Sequence, residues 1–205
     1  MRSKERAREL GEVFTPDYLV KDILSHIPDS SSTTKYFEPG CGSGNFLIQI
    51  LERKLQLILE SMKRATTGNN PEAWMRECFF ALSSLYGIDI DSDNVSESRQ
   101  RLRDRLLEEA NQISASIRSN SAFWNAIDFL LAKNIITGDL LNSPQTIEIA
   151  EYAELPDDQV KIRYFWFSEL IHPDDEVFQD SAKLFDHVPE SHRADRVMSY
   201  LEVSL

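Results

Sequence analysis

A glycine-rich turn is the feature of this 205-residue sequence whose residue types point most directly to ligand chemistry. Gly40, Gly42 and Gly44 stand at alternate positions between a short apolar segment and a long amphipathic one. Glycines here let the backbone turn sharply and approach a ligand closely, and the following helix presents free N–H groups to it. The spacing is neither the Gly-x-Gly-x-x-Gly of dinucleotide enzymes nor a P-loop, which needs a lysine where Asn45 stands.

Three acidic residues follow predicted strands and narrow the class of ligand. Glu38 precedes the glycine turn, where a carboxylate repels a pyrophosphate but attracts a cation. S-Adenosylmethionine (SAM) carries an ammonium and a sulfonium and no phosphate, so this turn favours SAM over NAD. Asp89 ends the next strand, where an acid accepts from ribose hydroxyls, and Ile90 is placed to pack on the adenine face. Asp139 ends the third strand and is placed to accept from the adenine N6 amine.

The elements that must position these residues alternate along the chain. Apolar residues at helical spacing predict helices over 16–27, 46–62, 72–84, 91–110 and 123–132, with strands over 35–38, 85–91 and 134–140. Thr15 is the predicted N-cap of the first helix, with Pro16 at its first position. The alternation predicts an α/β fold, a mostly parallel sheet with helices on both faces. Weak strand patterns cover 146–155 and 159–170, and a further helix is predicted from Glu190.

Composition limits the classes of function. The chain has 34 Asp+Glu against 22 Lys+Arg, a net charge of -12, which disfavours tight binding of nucleic acid by this chain alone. The basic residues concentrate in two places, Arg2, Lys4, Arg6 and Arg8 near the N-terminus and Arg99, Arg101, Arg103 and Arg105 in a predicted helix. The two cysteines form no CxxC pair, so we expect neither a disulfide framework nor a metal site. Without a long apolar run or a secretory signal, we expect a cytoplasmic protein with no membrane contact.

Four segments, in this order, resemble the motifs of the adenine-N6 DNA methyltransferases of restriction–modification systems. They are Gly-Glu-Val-Phe-Thr-Pro (11–16), Phe-Glu-Pro-Gly-Cys-Gly-Ser-Gly-Asn-Phe-Leu (37–47), Tyr-Gly-Ile-Asp-Ile-Asp (86–91) and Thr-Gly-Asp-Leu-Leu (137–141). The resemblance covers about residues 11–141 and implies the Rossmann-like fold of SAM-dependent methyltransferases.

The resemblance also implies a role in binding SAM for each matching residue. Thr15 of the Thr-Pro motif and the acidic glycine turn would hold the methionine end of SAM. Asp89 would bind the ribose and Asp139 the adenine. The members of the acidic glycine turn are Glu38, Gly40, Gly42 and Gly44.

One motif of that family is missing, because the sequence contains no Pro-Pro pair and therefore no Asn/Asp-Pro-Pro-Tyr/Phe tetrapeptide. In the family this tetrapeptide accepts the protons of the target amine and stacks on the flipped base. Asn142-Ser143-Pro144 follows Asp139 too closely to replace it. Cytosine-C5 chemistry needs a Pro-Cys nucleophile, and neither Cys41 nor Cys78 follows a proline. The catalytic residues are therefore left unassigned.

We interpret residues 1–205 as one SAM-binding domain, with a motif-bearing core over 1–143 and a divergent part over 144–205. The leading hypothesis is a SAM-binding subunit or domain of an adenine-N6 DNA methyltransferase. It would reach DNA through a partner subunit that carries target recognition, and an Asn-Pro-Pro-Tyr protein from a neighbouring gene would supply the tetrapeptide. The alternative is a catalytically inactive SAM-binding or regulatory module that docks on an active methyltransferase. A methyltransferase acting on protein or small molecules stays open as a third hypothesis.

Overall fold

The first two thirds of the chain alternate helices and strands, as the periodicity predicts. The computed structural model describes residues 15–27, 31–65, 70–170 and 189–205. In chain order the elements are α1 (Asp17–Ser25), β1 (Tyr36–Pro39), α2 (Asn45–Arg64), α3 (Pro71–Ser83), β2 (Leu85–Asp89), α4 (Ser92–Ile113), the short α5 (Ala115–Arg118), α6 (Ser121–Asn134) and β3 (Ile135–Thr137). The short α5 was not predicted, and the bounds of the other elements differ from the predicted ones only at the element ends.

The three strands of this region form a parallel sheet in the order β1-β2-β3. Glu38 pairs in register with Gly87, and Asp89 pairs with Thr137. Helices connect the successive strands, as parallel pairing requires. The carboxyl ends of the three strands therefore lie at one edge of the sheet. The alternation of helices with parallel strands confirms the predicted α/β class for this region.

The last third of the described chain forms a second sheet, antiparallel and of order β4-β5-β6. The strands are β4 (Glu148–Leu155), β5 (Gln159–Trp166) and β6 (Arg196–Ser199), accompanied by 3-10 turns at Pro144–Thr146 and Tyr200–Glu202 and by the short α7 (Phe167–Leu170). The two weak strand patterns are thereby confirmed. The helix predicted from Glu190 is wrong, because β6 pairs with β5 there, with Met198 opposite Val160. Such tertiary pairing overrides a short helical pattern.

The two faces of the parallel sheet are covered differently. Leu85 and Ile135 belong to the larger apolar core, which the helices supply in large part. Tyr86 and Ile88 point to the other face and pack in a smaller core. Its buried partners come from the chain after the 3-10 turn, from α7 and from the second sheet: Ile147, Ile149, Phe165, Phe167 and Leu170.

The first sheet is wholly parallel, as expected, but the expectation of helices on both of its faces is corrected for the described residues, because one face packs in large part against the second sheet. Parallel and antiparallel strands are equal in number there, three in each sheet. The physical reason is that apolar residues alternate along β4 and β5, so the two strands pair with each other and bring residues of both against the parallel sheet.

A buried lysine fixes the entry to β1. Lys54 of α2 is 2% exposed, and its Nζ donates to the carbonyls of Ser32 and Thr34 at 2.7 and 2.6 Å and to the Ser84 hydroxyl at 2.7 Å. These bonds join α2 to the segment before β1 and to the residue before β2, so Lys54 holds the starts of the two strands together.

None of the helices in the described residues has the length and hydropathy of a membrane span.

Candidate functional site

The glycine turn lies between β1 and α2 and is held against the end of β2. The backbone N–H groups of Gly40 and Cys41 both donate to the Ile88 carbonyl, at 2.7 and 2.9 Å. The φ angles of Gly40, Gly42 and Gly44 are +78°, +52° and +83°, a region that residues with a Cβ rarely adopt. The backbone of this turn therefore requires glycine at the three positions that the sequence singled out.

The last glycine also permits a close approach between helices. Gly44 occupies the N-cap position of α2, with no side-chain cap. A Cβ added to it would stand 2.4 Å from the Ser98 Oγ of α4, a distance that forces atoms to move. The first backbone bond within α2 runs from Ile48 N–H to the Gly44 carbonyl, so the three preceding N–H groups have no acceptor in the helix. This end of α2 is thus suited to a ligand carboxylate.

Asp89 is the residue that joins the end of β2 to the glycine turn. Its Oδ2 accepts from the Gly42 N–H at 2.8 Å. Its Oδ1 accepts from the Asp91 N–H at 2.9 Å and from the Asn94 amide at 3.3 Å. These three donors fix the carboxylate in place, and its remaining lone pairs can accept further hydrogen bonds from a ligand.

Glu38 lies at the end of β1, next to the turn. Burial raises the pKa of its carboxyl to about 7. The part of the chain that the structure describes offers this carboxyl neither a hydrogen-bond donor nor a salt-bridge partner. A half-buried acid with which no described residue forms an ion pair is suited to receive a cationic group.

Asp139 lies at the same sheet edge but is engaged by its own loop. Its carboxylate accepts from the side-chain amide of Asn142 at 2.8 Å and from the backbone N–H groups of Asn142 and Leu141 at 3.0 and 3.1 Å. The Asn142 bonds lower the pKa of Asp139. The backbone N–H of Gly138 donates to the Asp89 carbonyl at 2.9 Å, so the ends of β2 and β3 are joined.

Two exposed apolar side chains lie at the ends of these strands. Ile90 is 62% exposed directly after β2, the position from which the sequence places it on an adenine face. Leu141 is 89% exposed in the loop after β3, and the sequence analysis did not single it out. Their exposure leaves both side chains available for contact with a ligand at this edge.

Thr15 is brought to the glycine turn although it lies far away in sequence. Its backbone carbonyl accepts from the Asn45 side-chain amide at 3.1 Å, and Asn45 is the first residue of α2. The predicted N-cap role of Thr15 is wrong, because α1 begins at Asp17 with Pro16 in the N-cap position and no side-chain cap. Residues 11–14 of the same predicted motif lie outside the described residues.

Sequence reasoning missed Arg101, which binds the glycine turn from α4. Its Nη1 donates to the Ser43 carbonyl at 2.6 Å and to the Asn45 Oδ1 at 2.8 Å. The sequence shows only four arginines at alternate positions of a helix. The other three also have partners: Arg99 the carbonyls of Ile135 and Ala132, Arg103 the carboxylate of Asp128, and Arg105 that of Glu109. No sequence signal distinguishes the arginine that reaches the turn.

The cysteine within the turn is buried in surroundings that disfavour a nucleophile. Cys41 is 6% exposed, and burial raises the pKa of its thiol to about 12. A thiol protonated at neutral pH has little thiolate to attack with. Its place in the core beside α2 agrees with the role of a small apolar filler.

Comparison with known proteins finds two partial matches to this sequence. Residues 1–67 match the family described as N-6 DNA Methylase. A stretch of 94 residues, 46% of the chain, is 28% identical to the Type II methyltransferase M.VspI of Vibrio sp. (strain 343), and it covers 17% of that protein. The chain therefore spans much less than the length of this curated relative. No solved structure matches.

These two matches are a likeness, over part of the chain, to N6 DNA methyltransferases. The family match includes both Thr15 and the glycine turn, which the structure joins through Asn45. Asp89 and Asp139 lie beyond residues 1–67, so the family match does not include them.

Proposed function

We propose that this chain is the SAM-binding subunit or domain of an adenine-N6 DNA methyltransferase of a restriction–modification system. It would serve methyl transfer from SAM to adenine N6 in DNA and need a partner for catalysis and target recognition. The observation that carries the proposal is the meeting of the glycine turn with Asp89, whose carboxylate accepts from the Gly42 N–H at 2.8 Å. The parallel register adds Glu38 at the same edge.

Each group at this edge has a task that its environment supports. The uncapped N-terminus of α2 receives the amino-acid carboxylate, and Glu38 receives the positive charge of the ligand. Asp89 accepts from ribose hydroxyls. Ile90 packs on the adenine, and Asp139 accepts from its N6 amine. When bound, SAM supplies an electrophilic methyl group on its sulfonium.

Adenine-N6 chemistry also needs acceptors for the protons of the target amine and a stacking surface for the flipped base. The sequence lacks the Pro-Pro pair of the motif that performs this task in the family it resembles. We assign the task to a second polypeptide that carries an Asn-Pro-Pro-Tyr sequence. The net charge of -12 supports the same division, because DNA phosphates favour a basic surface.

Calorimetric titration with SAM tests the proposal. We expect the parent chain to bind and Asp89→Ala and Gly42→Asp to lose binding, because one removes the ribose acceptor and the other places a charged side chain at a left-handed position of the turn. Asp104→Ala removes an exposed carboxylate of α4 and is the matched control. Absence of binding by the parent refutes the proposal, and unchanged binding in both variants moves the site elsewhere.

The missing tetrapeptide also favours a second candidate, a catalytically inactive SAM-binding or regulatory module that docks on an active methyltransferase. Transfer of tritium from labelled SAM to unmethylated DNA separates the two. Methylation by the chain with an Asn-Pro-Pro-Tyr partner that is inactive alone supports the divided enzyme. Methylation by the isolated chain refutes the module. A partner that is fully active alone, and is only modulated by this chain, supports the module.

A further inference from the structure

We propose that Arg101 is a positioning residue, which holds the glycine turn and the Thr15 segment in the one arrangement that receives the amino-acid end of SAM. This inference rests on the proposed function. It adds a residue that neither the motifs nor the family match identifies, since Arg101 lies beyond residues 1–67.

The contacts form a chain of three residues. The Arg101 Nη1 donates to the Ser43 carbonyl at 2.6 Å and to the Asn45 Oδ1 at 2.8 Å. The Asn45 Nδ2 in turn donates to the Thr15 carbonyl at 3.1 Å. Arg101 thus reaches the turn directly and the N-terminal segment through one amide.

The donors and acceptors among these groups fix the orientation of the Asn45 amide. A guanidinium only donates hydrogen bonds, so it holds the Asn45 side chain with its oxygen toward α4. The NH₂ group then faces the Thr15 carbonyl, which only accepts. Without Arg101, the amide oxygen loses its partner on α4, and the Asn45 side chain is freer to move away from that carbonyl. Arg101 therefore restrains the Asn45 amide in the orientation that holds Thr15.

The second half of the glycine turn is the part that needs the hydrogen bonds from Arg101. Its first half is fixed to β2, through the Ile88 carbonyl and the Asp89 carboxylate. Its second half contains Gly44, whose backbone freedom makes ordering costly. A charge-assisted bond from α4 orders this half before the ligand arrives, and such pre-organisation lowers the entropy lost on binding.

Arg103 provides a matched control on the same helix. It is half-buried like Arg101, but its Nε donates to Asp128 at 2.7 Å and its guanidinium lies over the Trp124 ring at 5.1 Å from the centroid. Neither partner belongs to the turn. Arg103→Gln therefore reports the effect of losing an arginine of α4 without the effect on the site.

The first test compares two ligands in the full chain. For Arg101→Gln we expect about tenfold weaker binding of SAM, the effect of about 1.4 kcal/mol. We expect the Kd of 5′-methylthioadenosine, which keeps the nucleoside but has a neutral thioether and no amino-acid part, to stay within about twofold. Arg103→Gln should leave both constants unchanged. Equal weakening of both ligands by Arg101→Gln shows a general structural role and overturns the inference.

The second test needs no ligand. Hydrogen exchange of the amides of residues 42–46 should be faster in Arg101→Gln than in the parent and in Arg103→Gln, because the turn loses an anchor. Unchanged exchange there overturns the positioning role whatever the ligand is. Failure of the parent to bind SAM, with faster exchange in the variant, refutes the proposed function and leaves Arg101 as an anchor of the turn for another ligand.

A double substitution tests the chain of contacts. If part of the Arg101 effect on Thr15 passes through Asn45, the variant Arg101→Gln/Asn45→Ala should lose less affinity for SAM than the two single losses multiplied together, because only the direct bond to Ser43 remains to be lost once Asn45 is alanine. Independent, multiplicative losses contradict the relay.

Discussion

Replacement of Glu38 by glutamine should stabilise the free protein at neutral pH while weakening its binding of SAM. Burial raises the pKa of Glu38 from 4.5 to about 7. At about 1.4 kcal/mol per pKa unit, this difference corresponds to a penalty of about 3 kcal/mol for the ionised carboxylate in the folded chain. Glutamine keeps the shape and carries no charge, so it removes that penalty.

The stability advantage of Glu38→Gln over the parent should depend on pH. Well below pH 4.5 the carboxyl is protonated in both the folded and the unfolded chain, and the two proteins should be about equally stable. Between 4.5 and about 7 the unfolded chain loses this proton first, so stability of the parent falls relative to Glu38→Gln as pH rises. Above about 7 the advantage of the variant should reach its full value of up to about 3 kcal/mol.

Urea denaturation from pH 5 to 8 measures this difference, with Glu108→Gln as control because Glu108 is an exposed carboxylate of α4. A difference between Glu38→Gln and the parent that stays constant with pH would refute the reasoning.

Binding of SAM should favour the ionised form of Glu38, because the ligand is cationic. The affinity of the parent should rise with pH through about 7 and proton release should accompany binding, whereas Glu38→Gln should show neither in calorimetry across several buffers.

Three further predictions follow from contacts in the core and the turn. In urea denaturation, Gly44→Ala should lower the free energy of unfolding by more than about 2 kcal/mol and Gly40→Ala by about 1 kcal/mol. Both glycines have a positive φ, but only a Cβ at position 44 would meet Ser98. Equal losses in the two variants would contradict the close approach of α4. Lys54→Met should cost about 2–3 kcal/mol by the same measurement, since it leaves buried acceptors without their donor, and a neutral result would show that water replaces it. The Cys41 thiol should react with a thiol reagent at pH 8 only after unfolding; rapid reaction of the native chain would contradict its burial.

Sequence reasoning succeeded where local chemistry determines structure. The predicted starts of two helices are confirmed to within a residue: α2 begins directly after Gly44, and α4 begins directly after Asp91, whose Oδ1 accepts from the Asp93 N–H. Both features lie within a few residues and follow from backbone geometry and capping. The parallel order of the strands then brings the predicted acids to one edge, as strand alternation implies.

Structure that depends on partners distant in sequence was not predictable. The tail beyond Glu190 has the spacing of a helix, but pairing with β5 makes it a strand. Thr15 is suited to cap a helix, yet its carbonyl is held by Asn45. Arg101 resembles its neighbours in the sequence, and only the packing of α4 beside the turn gives it a distinct contact. The sequence gives residue types, whereas these contacts depend on how whole elements pack.

The arginines of α4 have a consequence for the salt dependence of any complex with DNA. Their side chains bond to carbonyls and carboxylates of this chain, Arg103 to Asp128 for instance, and are thereby withdrawn from phosphate contacts. Few counterions would be displaced from a duplex by this helix. Affinity falls steeply with rising ionic strength when a protein surface binds DNA phosphates. In a complex with DNA, we therefore expect such a fall to arise from surfaces other than α4.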